Sequence, residues 1–449
     1  MSDINRSTRR EFLKRASATA GALAIPTIVP ASALGRQGAV SPANRLTMGF
    51  IGVGGMGMAN LNAFIGEPEV QVLAVCDVDT DRGGQGREPA KAHVNQVYTD
   101  RLGETWNGCE AYADLNELLA RDDIDAVCIA TPDHWHALAS VAAANAGKDI
   151  YCEKPLANSV EEGRAVCDAV NGNGVVLQTG SHERSTPNCR FACELVRSGY
   201  IGELHTIRIN LPCSDGHHGE ARALTEIPAP EPVPDGFDYN QWLGHTPQVP
   251  YTPRRCHFWW RFILSYGGGE MTDRGAHVID IGQLGNGTDD TGPIHYEATG
   301  VQTPGGLYNT FWDYSFTNTY ANGVVMIGST EEPRGLRFEG TEGSIFVHIH
   351  GGALEADPAS LLEVELGDGD VSLGRAASHR RNFLDCVQTR ETPFASAEIG
   401  HRTATICHLN NIAMMLGRPL AWDPVSETVV GDDEANALLM PQMRPPYTF

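Results

Sequence analysis

Short apolar runs alternate with segments of helical periodicity through the first half of the chain. The runs richest in β-branched and aliphatic residues cover residues 47–51, 70–75, 125–130 and 149–152. Between them, residues 114–119 begin with Asp114 as a helix cap, and residues 137–146 are rich in alanine, as in a helix that packs on a sheet. The repeated strand–helix–strand pattern predicts a doubly wound parallel sheet, which the run at residues 175–178 is expected to close.

The pattern changes near residue 180. Residues 211–256 are rich in proline, histidine and glycine and show little periodicity, which is unusual for a connection inside a compact domain. We expect this segment, called the excursion below, to lie over an active site. Beyond residue 290 the apolar runs alternate, with Asn322-Gly323 as a hairpin turn, and helical periodicity returns at residues 383–388 and 403–416. The second half is therefore predicted to be an α/β domain with a large, mostly antiparallel open sheet.

The first residues differ in composition from the rest of the chain. An Arg9-Arg10 pair is followed by the mildly apolar residues 16–29 and by the small-residue sequence Ala31-Ser32-Ala33. This order predicts a twin-arginine signal peptide over residues 1–33, cleaved after Ala33, in preference to an ordinary N-terminal helix. Residues 34–45 would follow as a linker. We expect export to the periplasm or beyond, without a membrane anchor.

Composition narrows the class of protein. The 449 residues carry a formal net charge of −23, with no block of Lys or Arg after the signal region, so no nucleic-acid partner is predicted. The eleven cysteines are odd in number and include no CxxC pair, and Cys76, Cys128 and Cys152 fall in apolar runs. We expect free, buried thiols rather than a disulfide framework.

A glycine-rich loop lies where the first predicted strand gives way to a helix. It reads Gly52-Val53-Gly54-Gly55-Met56-Gly57. In this context the glycines permit a tight turn, close approach of the backbone to a pyrophosphate and close helix–strand packing, and the helix N-terminus faces the anion. Asp77 ends the next predicted strand, where a carboxylate binds ribose hydroxyls and repels a 2′-phosphate. NAD is the predicted cofactor, and NADP stays open because Arg82 and Arg87 partly offset the acidic bias.

Two further segments carry groups suited to proton transfer. Lys154 follows a predicted strand at the edge where open α/β sheets bind ligands, and its ammonium is placed to polarise a substrate oxygen. Asp273 and His277 are four residues apart, so on one helix they share a face and meet. An imidazole suits a general base, and a carboxylate orients it. From spacing alone, however, a structural histidine and a surface lysine are the more common outcomes.

The chain resembles the Gfo/Idh/MocA family of oxidoreductases over nearly all of its length beyond the signal. The matching motifs are the glycine loop, Thr131-Pro132 with His136, the triplet Glu153-Lys154-Pro155, and Asp273-x-Gly275-x-His277. The resemblance implies a Rossmann domain over residues 46–180 and a substrate and oligomerisation domain over residues 181–449. It implies three catalytic residues, which are Lys154, Asp273 and His277. It also implies cofactor contacts beyond the glycine loop and Asp77, from Thr131, Pro132, His136, Glu153 and Lys154.

Several other residues are candidates for substrate contact. Arg184 is placed to hold a sugar hydroxyl or an acidic sugar, although a surface salt bridge fits the sequence equally well. Trp242 and Arg261 flank the expected sugar site, where aromatic faces stack on pyranose rings, but packing tryptophans are the equal alternative. Asp133 stands where many relatives carry asparagine, which leaves the substrate open. His217-His218 is poorly placed to converge on one ion, so no metal site is predicted.

The predicted function follows from the resemblance. Together with the predicted signal peptide, it implies an exported, NAD(H)-dependent oxidoreductase that transfers hydride between a sugar, glycoside or polyol and a tightly bound nicotinamide. A substrate hydroxyl would contact Lys154 and lose its proton to His277, oriented by Asp273. The alternative is an NAD-dependent glycosidase that works by transient oxidation, elimination, water addition and reduction. A non-catalytic sugar-binding module is the third hypothesis. Relatives imply a homo-oligomer, either a dimer or a tetramer.

Overall fold

The structure is a computed structural model that describes residues 45–441 and 443–449. The predicted signal peptide at residues 1–33, and the predicted linker at residues 34–45 apart from Arg45, lie outside the described residues. Within the described ranges, no helix combines the length and apolar character that a bilayer-spanning segment needs.

The apolar runs of the first half form a six-stranded parallel sheet. Its strands are β1 (Leu46–Ile51), β2 (Val70–Cys76), β3 (Glu110–Tyr112), β4 (Ala126–Ile129), β5 (Asp149–Cys152) and β6 (Leu177–Thr179). The helices between them are α1 (Gly55–Ile65), α2 (Arg87–Leu102), α3 (Leu115–Leu119), α4 (Asp133–Asn145) and α5 (Val160–Asn173). The strand order is β3-β2-β1-β4-β5-β6, so β2 and β3 extend the sheet on one side of β1, and β4, β5 and β6 extend it on the other. This confirms the predicted doubly wound sheet, and ligands bind at such a reversal point.

Local chemistry explains where these helices begin. Asp114 caps α3 as predicted, because its side chain accepts a hydrogen bond from the backbone N–H of Asn116. Ser159 caps α5 in the same way through the N–H of Glu162. Helix α4 begins at Asp133, four residues before the predicted start, with Pro132 at its N-cap. Since proline lacks an N–H and fixes φ, it is tolerated at a helix start and places Asp133 at the carboxyl edge of the sheet.

A nine-stranded sheet forms the second half. Its strands are β7 (Leu204–Asn210), β8 (His295–Val301), β9 (Trp312–Thr319), β10 (Val325–Ser329), β11 (Gly335–Gly340), β12 (Ser344–His348), β13 (Leu354–Asp357), β14 (Leu420–Asp423) and β15 (Thr428–Val429). Their order is β13-β12-β11-β7-β10-β9-β8-β14-β15, and each pair is antiparallel except β7 with β10. The predicted hairpin turn joins β9 to β10, with Gly323 at φ 87°. The mostly antiparallel sheet is thus confirmed.

Helices cover one face of this sheet. The helices of the second half are α6 (Pro187–Arg197), α7 (Gly216–Ala223), α8 (Tyr239–Leu243), α9 (Glu270–Asp273), α10 (Gly275–Asn286), α11 (His379–Thr389), α12 (Ala397–Leu416) and α13 (Asp433–Asn436). Helix α10 packs on β7 and β11, and α12 packs on β8 and also on α5 of the first half. Side chains along β9 alternate between buried and exposed or half-buried, so the face of the sheet opposite these helices is open to solvent. The predicted homo-oligomer stays a prediction.

The excursion reaches back to the first sheet. It folds as α7, α8, a 3-10 turn at Pro253–Arg255 and connecting loops. Phe237 forms a β-bridge with Asp79, and the Thr80 N–H donates to the carbonyl of Gly236 at 2.9 Å. The carbonyl of Trp242 accepts a hydrogen bond from the indole of Trp135 in α4 at 2.9 Å. The excursion therefore covers the carboxyl edge of the six-stranded sheet.

Candidate active site

A cavity of about 540 Å³ lies along this edge. The predicted cofactor-binding residues in its walls are Gly52, Gly54, Gly55, Met56, Asp77, Thr131, Pro132, His136, Glu153 and Lys154. Of the catalytic and substrate candidates, Asp273, Trp242 and Arg261 line it. Among the described residues, Gly57, His277 and Arg184 lie outside its walls. One cavity thus joins the glycine loop to the Lys154–Asp273 pair.

The four loop glycines divide into two pairs with different surroundings. Gly52 has φ 82°, and a Cβ there would lie 2.7 Å from the backbone of Ala130 at the end of β4. A Cβ on Gly57 would lie 2.0 Å from the carbonyl oxygen of Gly52. At Gly54 and Gly55, by contrast, a Cβ would meet nothing within 4 Å. Gly52 and Gly57 therefore close the loop against the protein, whereas Gly54 and Gly55 leave open the space that a pyrophosphate requires.

Asp77 presents a carboxylate at the end of β2. Its Oδ2 accepts a hydrogen bond from the N–H of Val53 and its Oδ1 from the N–H of Asp79, each at 2.9 Å. Burial raises the pKa of Asp77, and these two backbone hydrogen bonds partly offset the rise. Each oxygen keeps a second lone pair, so the carboxylate fits a ribose diol.

Two arginines near this carboxylate are held by protein groups. Arg82 forms an ion pair with Asp79 at 3.2 Å. Arg87 donates to the carbonyl of Asp77 at 3.0 Å and to the hydroxyl of Thr80 at 2.6 Å. Arg82 nevertheless keeps 40% of its side chain exposed and lines the cavity, so the preference for NAD over a 2′-phosphorylated cofactor comes from the Asp77 carboxylate.

His136 and Glu153 line the cavity but use their polar atoms inside the protein. The His136 ring lies with Nδ1 2.6 Å from the carbonyl of Pro155 and Nε2 2.9 Å from the carbonyl of Thr131. Glu153 accepts a hydrogen bond from the amide of Asn60 at 2.8 Å. Their contacts hold the Thr131 loop and the end of β5 in place, so both residues position the groups around them.

Lys154 and Asp273 form an ion pair where the two halves of the chain meet. The Lys154 ammonium donates to the Asp273 backbone carbonyl at 2.5 Å and to its Oδ1 at 2.7 Å. Burial alone would lower the pKa of Lys154, but the adjacent carboxylate outweighs it and the pKa is raised. Burial would raise the pKa of Asp273, but Lys154 and Arg261, 3.4 Å away, hold it well below its ordinary range. Both groups therefore stay charged at neutral pH.

His277 does not meet Asp273 in the predicted way. Helix α9 ends at Asp273 and α10 begins at Gly275, with Arg274 as a one-residue irregularity between the two helices. No hydrogen bond joins the Asp273 and His277 side chains among the described residues, so the predicted orientation of His277 by Asp273 stays a prediction. The ring instead lies 4.7 Å from that of His182 and 5.2 Å from that of His350, measured between centroids. Burial, then the nearby Lys154 ammonium, lowers the pKa of His277, so its imidazole is neutral at pH 7.

Glu183 is the carboxylate next to these imidazoles. Its Oε1 accepts a hydrogen bond from the His350 N–H at 2.9 Å and lies 3.1 Å from His350 Nδ1 and 3.3 Å from His182 Nε2. Burial opposes ionisation, but the two imidazoles outweigh it and lower the pKa of Glu183. Sequence reasoning singled out only Arg184 in this turn and missed His182, Glu183 and His350. The one available signal was a His-Glu doublet directly after a strand of the first sheet.

Arg184 is buried and has no face open to a substrate. Its side chain is 2% exposed and donates to both carboxylate oxygens of Asp280, at 2.7 and 2.8 Å. It also donates to Asp289 at 2.7 and 2.9 Å. A buried guanidinium requires such pairing, which anchors the turn at His182–Ser185 to α10. The predicted substrate contact of Arg184 is therefore wrong.

The other substrate candidates line the cavity to different degrees. Trp242 is 5% exposed, and its ring stacks on Tyr239 with centroids 6.0 Å apart, which favours the packing alternative. Arg261 keeps about a quarter of its side chain exposed and lies over the ring of Trp260. Asp133 also lines the cavity, and burial raises the pKa of its carboxyl well above the ordinary value. Burial thus disfavours the charged form of Asp133 and brings it closer in charge to the asparagine that many relatives carry there.

Comparisons with known proteins agree with this geometry. One family model, described as an oxidoreductase family NAD-binding Rossmann fold, matches residues 46–181. A second, described as an oxidoreductase family C-terminal alpha/beta domain, matches residues 194–449.

Individual relatives have low sequence identity to this chain. Levoglucosan dehydrogenase of Pseudarthrobacter phenanthrenivorans is 29% identical over 265 residues, which are 52% of this chain and 57% of that protein. An alpha-N-acetylgalactosaminidase of Shewanella oneidensis is 30% identical over 239 residues, 49% of this chain and 46% of that protein. The chain thus spans about half the length of the curated relatives it matches. A solved levoglucosan dehydrogenase in complex with NADH shares the fold, with a TM-score of 0.55 at 20% identity over 84% of this chain and 99% of that one.

Proposed function

Because the chain belongs to the Gfo/Idh/MocA family of oxidoreductases, we propose that it transfers hydride between NAD and a hydroxyl-bearing carbon of a sugar, glycoside or polyol. The observation that carries this proposal is the Lys154–Asp273 ion pair, which lies in the same cavity as the glycine loop. An ammonium fixed at the end of a nucleotide cavity is the group that a reacting hydroxyl needs.

The first sheet supplies the cofactor site. Gly54 and Gly55 leave room for the pyrophosphate, and the Asp77 carboxylate binds the ribose hydroxyls. Bound NAD supplies the hydride acceptor and donor for the reaction. The excursion, through Phe237 and Trp242, covers the cavity and excludes water from it.

Lys154 binds the oxygen of the reacting carbon. Its Nζ has three protons, and Asp273 takes hydrogen bonds at two oxygens, which leaves one donor for a substrate hydroxyl. Because the ammonium stays charged, it stabilises the negative charge that develops on this oxygen as the proton leaves. Asp273 keeps Nζ in place, and Arg261 keeps the carboxylate from turning away.

His277 is the proposed proton acceptor. Its ring lies close enough to Lys154 for the ammonium to lower its pKa, and its Nδ1 has no hydrogen-bond partner among the described residues. A neutral imidazole with a free lone pair accepts a hydroxyl proton. The proposed orienting groups are His182 and His350, whose rings contact it, in place of Asp273.

A glycosidase is the second candidate. The relatives include proteins named as an alpha-N-acetylgalactosaminidase and as glycosyl hydrolase family 109 members. Elimination of an aglycone and addition of water need acid and base groups besides the one that deprotonates the hydroxyl. His182 and His350, next to His277, are such groups while no ion binds them, so the same site supports transient oxidation followed by cleavage.

Product analysis distinguishes the two candidates. Purified protein with NAD is given a panel of glycosides and polyols, with an electron-accepting sugar in half of the tubes, and products are followed by proton NMR. A keto-sugar identifies the oxidoreductase, with the added NAD as oxidant and the accepting sugar as the means of regenerating it, whereas free sugar plus aglycone with no net change in NAD identifies the glycosidase. Neither product on any substrate would contradict both candidates.

We further propose export by the twin-arginine route, with the mature chain starting after Ala33. The support is the order of Arg9-Arg10, the apolar residues 16–29 and Ala31-Ser32-Ala33. The intact mass of protein recovered from the periplasm is expected to match residues 34–449. A double Arg9→Lys, Arg10→Lys variant should retain the full chain in the cytoplasm, and unchanged export of that variant would refute the route.

A further inference from the structure

Two distant segments of the chain meet beside His277. His182 and Glu183 lie in the 3-10 turn at His182–Ser185, directly after β6. His350 lies in the turn between β12 and β13 and adopts φ 69°. Non-glycine residues in this left-handed region are uncommon and cluster where a function constrains the backbone. The His350 N–H is bound by Glu183, which ties the two turns together.

The ligand atoms of this group have the spacing of a coordination site. His182 Nε2, Glu183 Oε1 and His350 Nδ1 all lie within 4.8 Å of one another. Zn²⁺ holds nitrogen and oxygen ligands at about 2.0–2.2 Å, so two ligands of a tetrahedral ion lie about 3.3–3.6 Å apart. Glu183 Oε1 is 3.3 Å from His182 Nε2 and 3.1 Å from His350 Nδ1. Two of the three separations therefore need little change to receive an ion.

The charge balance also favours a cation. The side chain of Glu183 is 1% exposed, and no Lys or Arg forms an ion pair with it among the described residues. Its second oxygen is fixed by hydrogen bonds from the hydroxyl of Thr186 at 3.0 Å and the thiol of Cys189 at 3.5 Å. A buried carboxylate without a strong cationic partner is costly, and outer hydrogen bonds of this kind orient metal ligands.

The site is open to solvent on one side. The side chains of His182 and His350 are 46% and 41% exposed, which gives an ion a route in and leaves positions for water or a substrate oxygen. The ring of His277 forms the inner wall, and its Nδ1 is buried without a partner. Three protein ligands with an open position are typical of catalytic rather than structural zinc sites.

A second group of potential ligands, Asp215 with His217 and His218, does not share these properties. Asp215 forms ion pairs with Arg274 and Arg334. His218 is buried and lies 2.6 Å from Glu270. Two of its three members are therefore already paired, which makes this group a suitable internal control.

We propose that His182, Glu183 and His350 bind one divalent cation of the Zn²⁺ type, next to His277. Two imidazoles and one carboxylate with open positions suit Zn²⁺ and its spectroscopic substitute Co²⁺. The sequence predicted no metal, because the three ligands come from segments 167 residues apart. This inference does not depend on the proposed function, since ion binding is measured without turnover.

The test uses the full chain after removal of metals with EDTA. Zn²⁺ is added, its stoichiometry is measured by elemental mass spectrometry, and its affinity by competition with a chromophoric chelator. We expect one Zn²⁺ per chain and visible absorption bands with Co²⁺. His182→Gln and His350→Gln should each lower the affinity by roughly 100-fold or more, because loss of a ligand costs at least as much as loss of an outer partner.

Matched variants separate this site from other histidines. His348→Gln removes an imidazole that lies 2.7 Å from Glu355 in the same hairpin, and it should leave Zn²⁺ affinity unchanged. Circular dichroism before metal addition checks that each variant folds, which the exposure of His182 and His350 favours. Absence of Zn²⁺ binding by the wild-type chain would overturn the proposal. Binding that is lost in a His217→Gln variant but kept in His350→Gln would overturn it as well, by assigning the ion to the other group.

Discussion

The two ends of the cavity are built on different principles. The glycine-loop end consists of backbone groups from one contiguous segment, and its shape depends on side chains that are absent at Gly52 and Gly57. The opposite end consists of charged and polar side chains from separate segments, each held by a partner, such as Lys154 by Asp273. The glycine-loop end is therefore expected to lose its shape when an added side chain clashes with the backbone. The opposite end is expected to lose stability or turnover when one member of a pair is removed.

The largest expected effect follows from breaking a buried pair. Arg184→Met leaves Asp280, which is fully buried, without its guanidinium, and we expect the free energy of unfolding to fall by about 3–5 kcal/mol. Urea unfolding measures this loss. The matched control is Arg208→Met, which removes an exposed partner of Glu339 and should cost less than about 1 kcal/mol. Equal stability of the two variants, together with a raised KM for Arg184→Met, would instead restore the predicted substrate contact.

The next effect concerns turnover. Lys154→Ala removes the group that stabilises charge on the substrate oxygen, and we expect kcat to fall by about 10²–10³-fold. NAD affinity, measured by fluorescence titration, should change far less. Lys91→Ala in α2 is the control and should leave kcat unchanged.

Loss of Lys154 also tests whether the chain is an enzyme of this type at all. If Lys154→Ala and His277→Ala both turned over at the wild-type rate, the non-catalytic sugar-binding module would be the better account of the fold.

A smaller effect is expected at the glycine-loop end. Gly57→Ala places a Cβ 2.0 Å from the carbonyl oxygen of Gly52, and overpacking of this kind costs about 1–3 kcal/mol. NAD affinity should fall with stability, because the loop cannot keep its shape. Gly172→Ala in α5 meets nothing within 4 Å and should be neutral or stabilising by up to about 1 kcal/mol. Wild-type NAD affinity in Gly57→Ala would contradict the steric role of this glycine.

The smallest effect on turnover is expected at Asp133. Since burial disfavours the charged form of this carboxyl, Asp133→Asn should change kcat by less than about threefold, or about 0.7 kcal/mol. A tenfold or greater loss of activity would show that the negative form of Asp133 takes part in the reaction.

The same variant predicts a pH dependence of stability. Above pH 3.8 the unfolded chain loses the Asp133 proton while the folded chain keeps it, so wild-type stability falls as pH rises. Asp133→Asn removes this loss. The variant should gain up to about 1.4 kcal/mol relative to the wild type for each pH unit, until the pKa of the folded protein is reached. Urea unfolding at pH 5 and pH 8 measures the stability of the variant relative to the wild type. The same relative stability at both pH values would contradict the raised pKa of Asp133.

Local patterns predicted the features that depend on neighbouring residues. Five of the six strands of the first sheet, the cap at Asp114 and the hairpin at Asn322-Gly323 each follow from a short stretch of sequence and are observed, whereas the short edge strand β3 was not predicted. The glycine loop was predictable for the same reason, since one segment holds the turn, the open space and the helix start.

Long-range pairing was not predictable in this way. Asp273 and His277 have helical spacing, but Arg274 separates two helices between them. Asp273 pairs instead with Lys154, 119 residues away. Arg184 was interpreted as a surface or substrate residue, because its partners Asp280 and Asp289 lie about a hundred residues further on. His350 carries no motif and becomes a candidate only when the second sheet brings it to Glu183.

Deuterium transfer tests the central claim most directly, namely that NAD in this cavity exchanges hydride with a sugar carbon held by Lys154. The wild-type chain is incubated with NAD and pyranosides deuterated at every ring carbon, and the nicotinamide is recovered and analysed by mass spectrometry. Both the oxidoreductase and the glycosidase place deuterium in the reduced nicotinamide during turnover, but the glycosidase returns it to the sugar at the end of each cycle. The nicotinamide is therefore recovered from reactions quenched within the first turnover, and Lys154→Ala should lose this deuterium. A substrate that is converted by the wild-type chain with no deuterium in the nicotinamide would contradict the account.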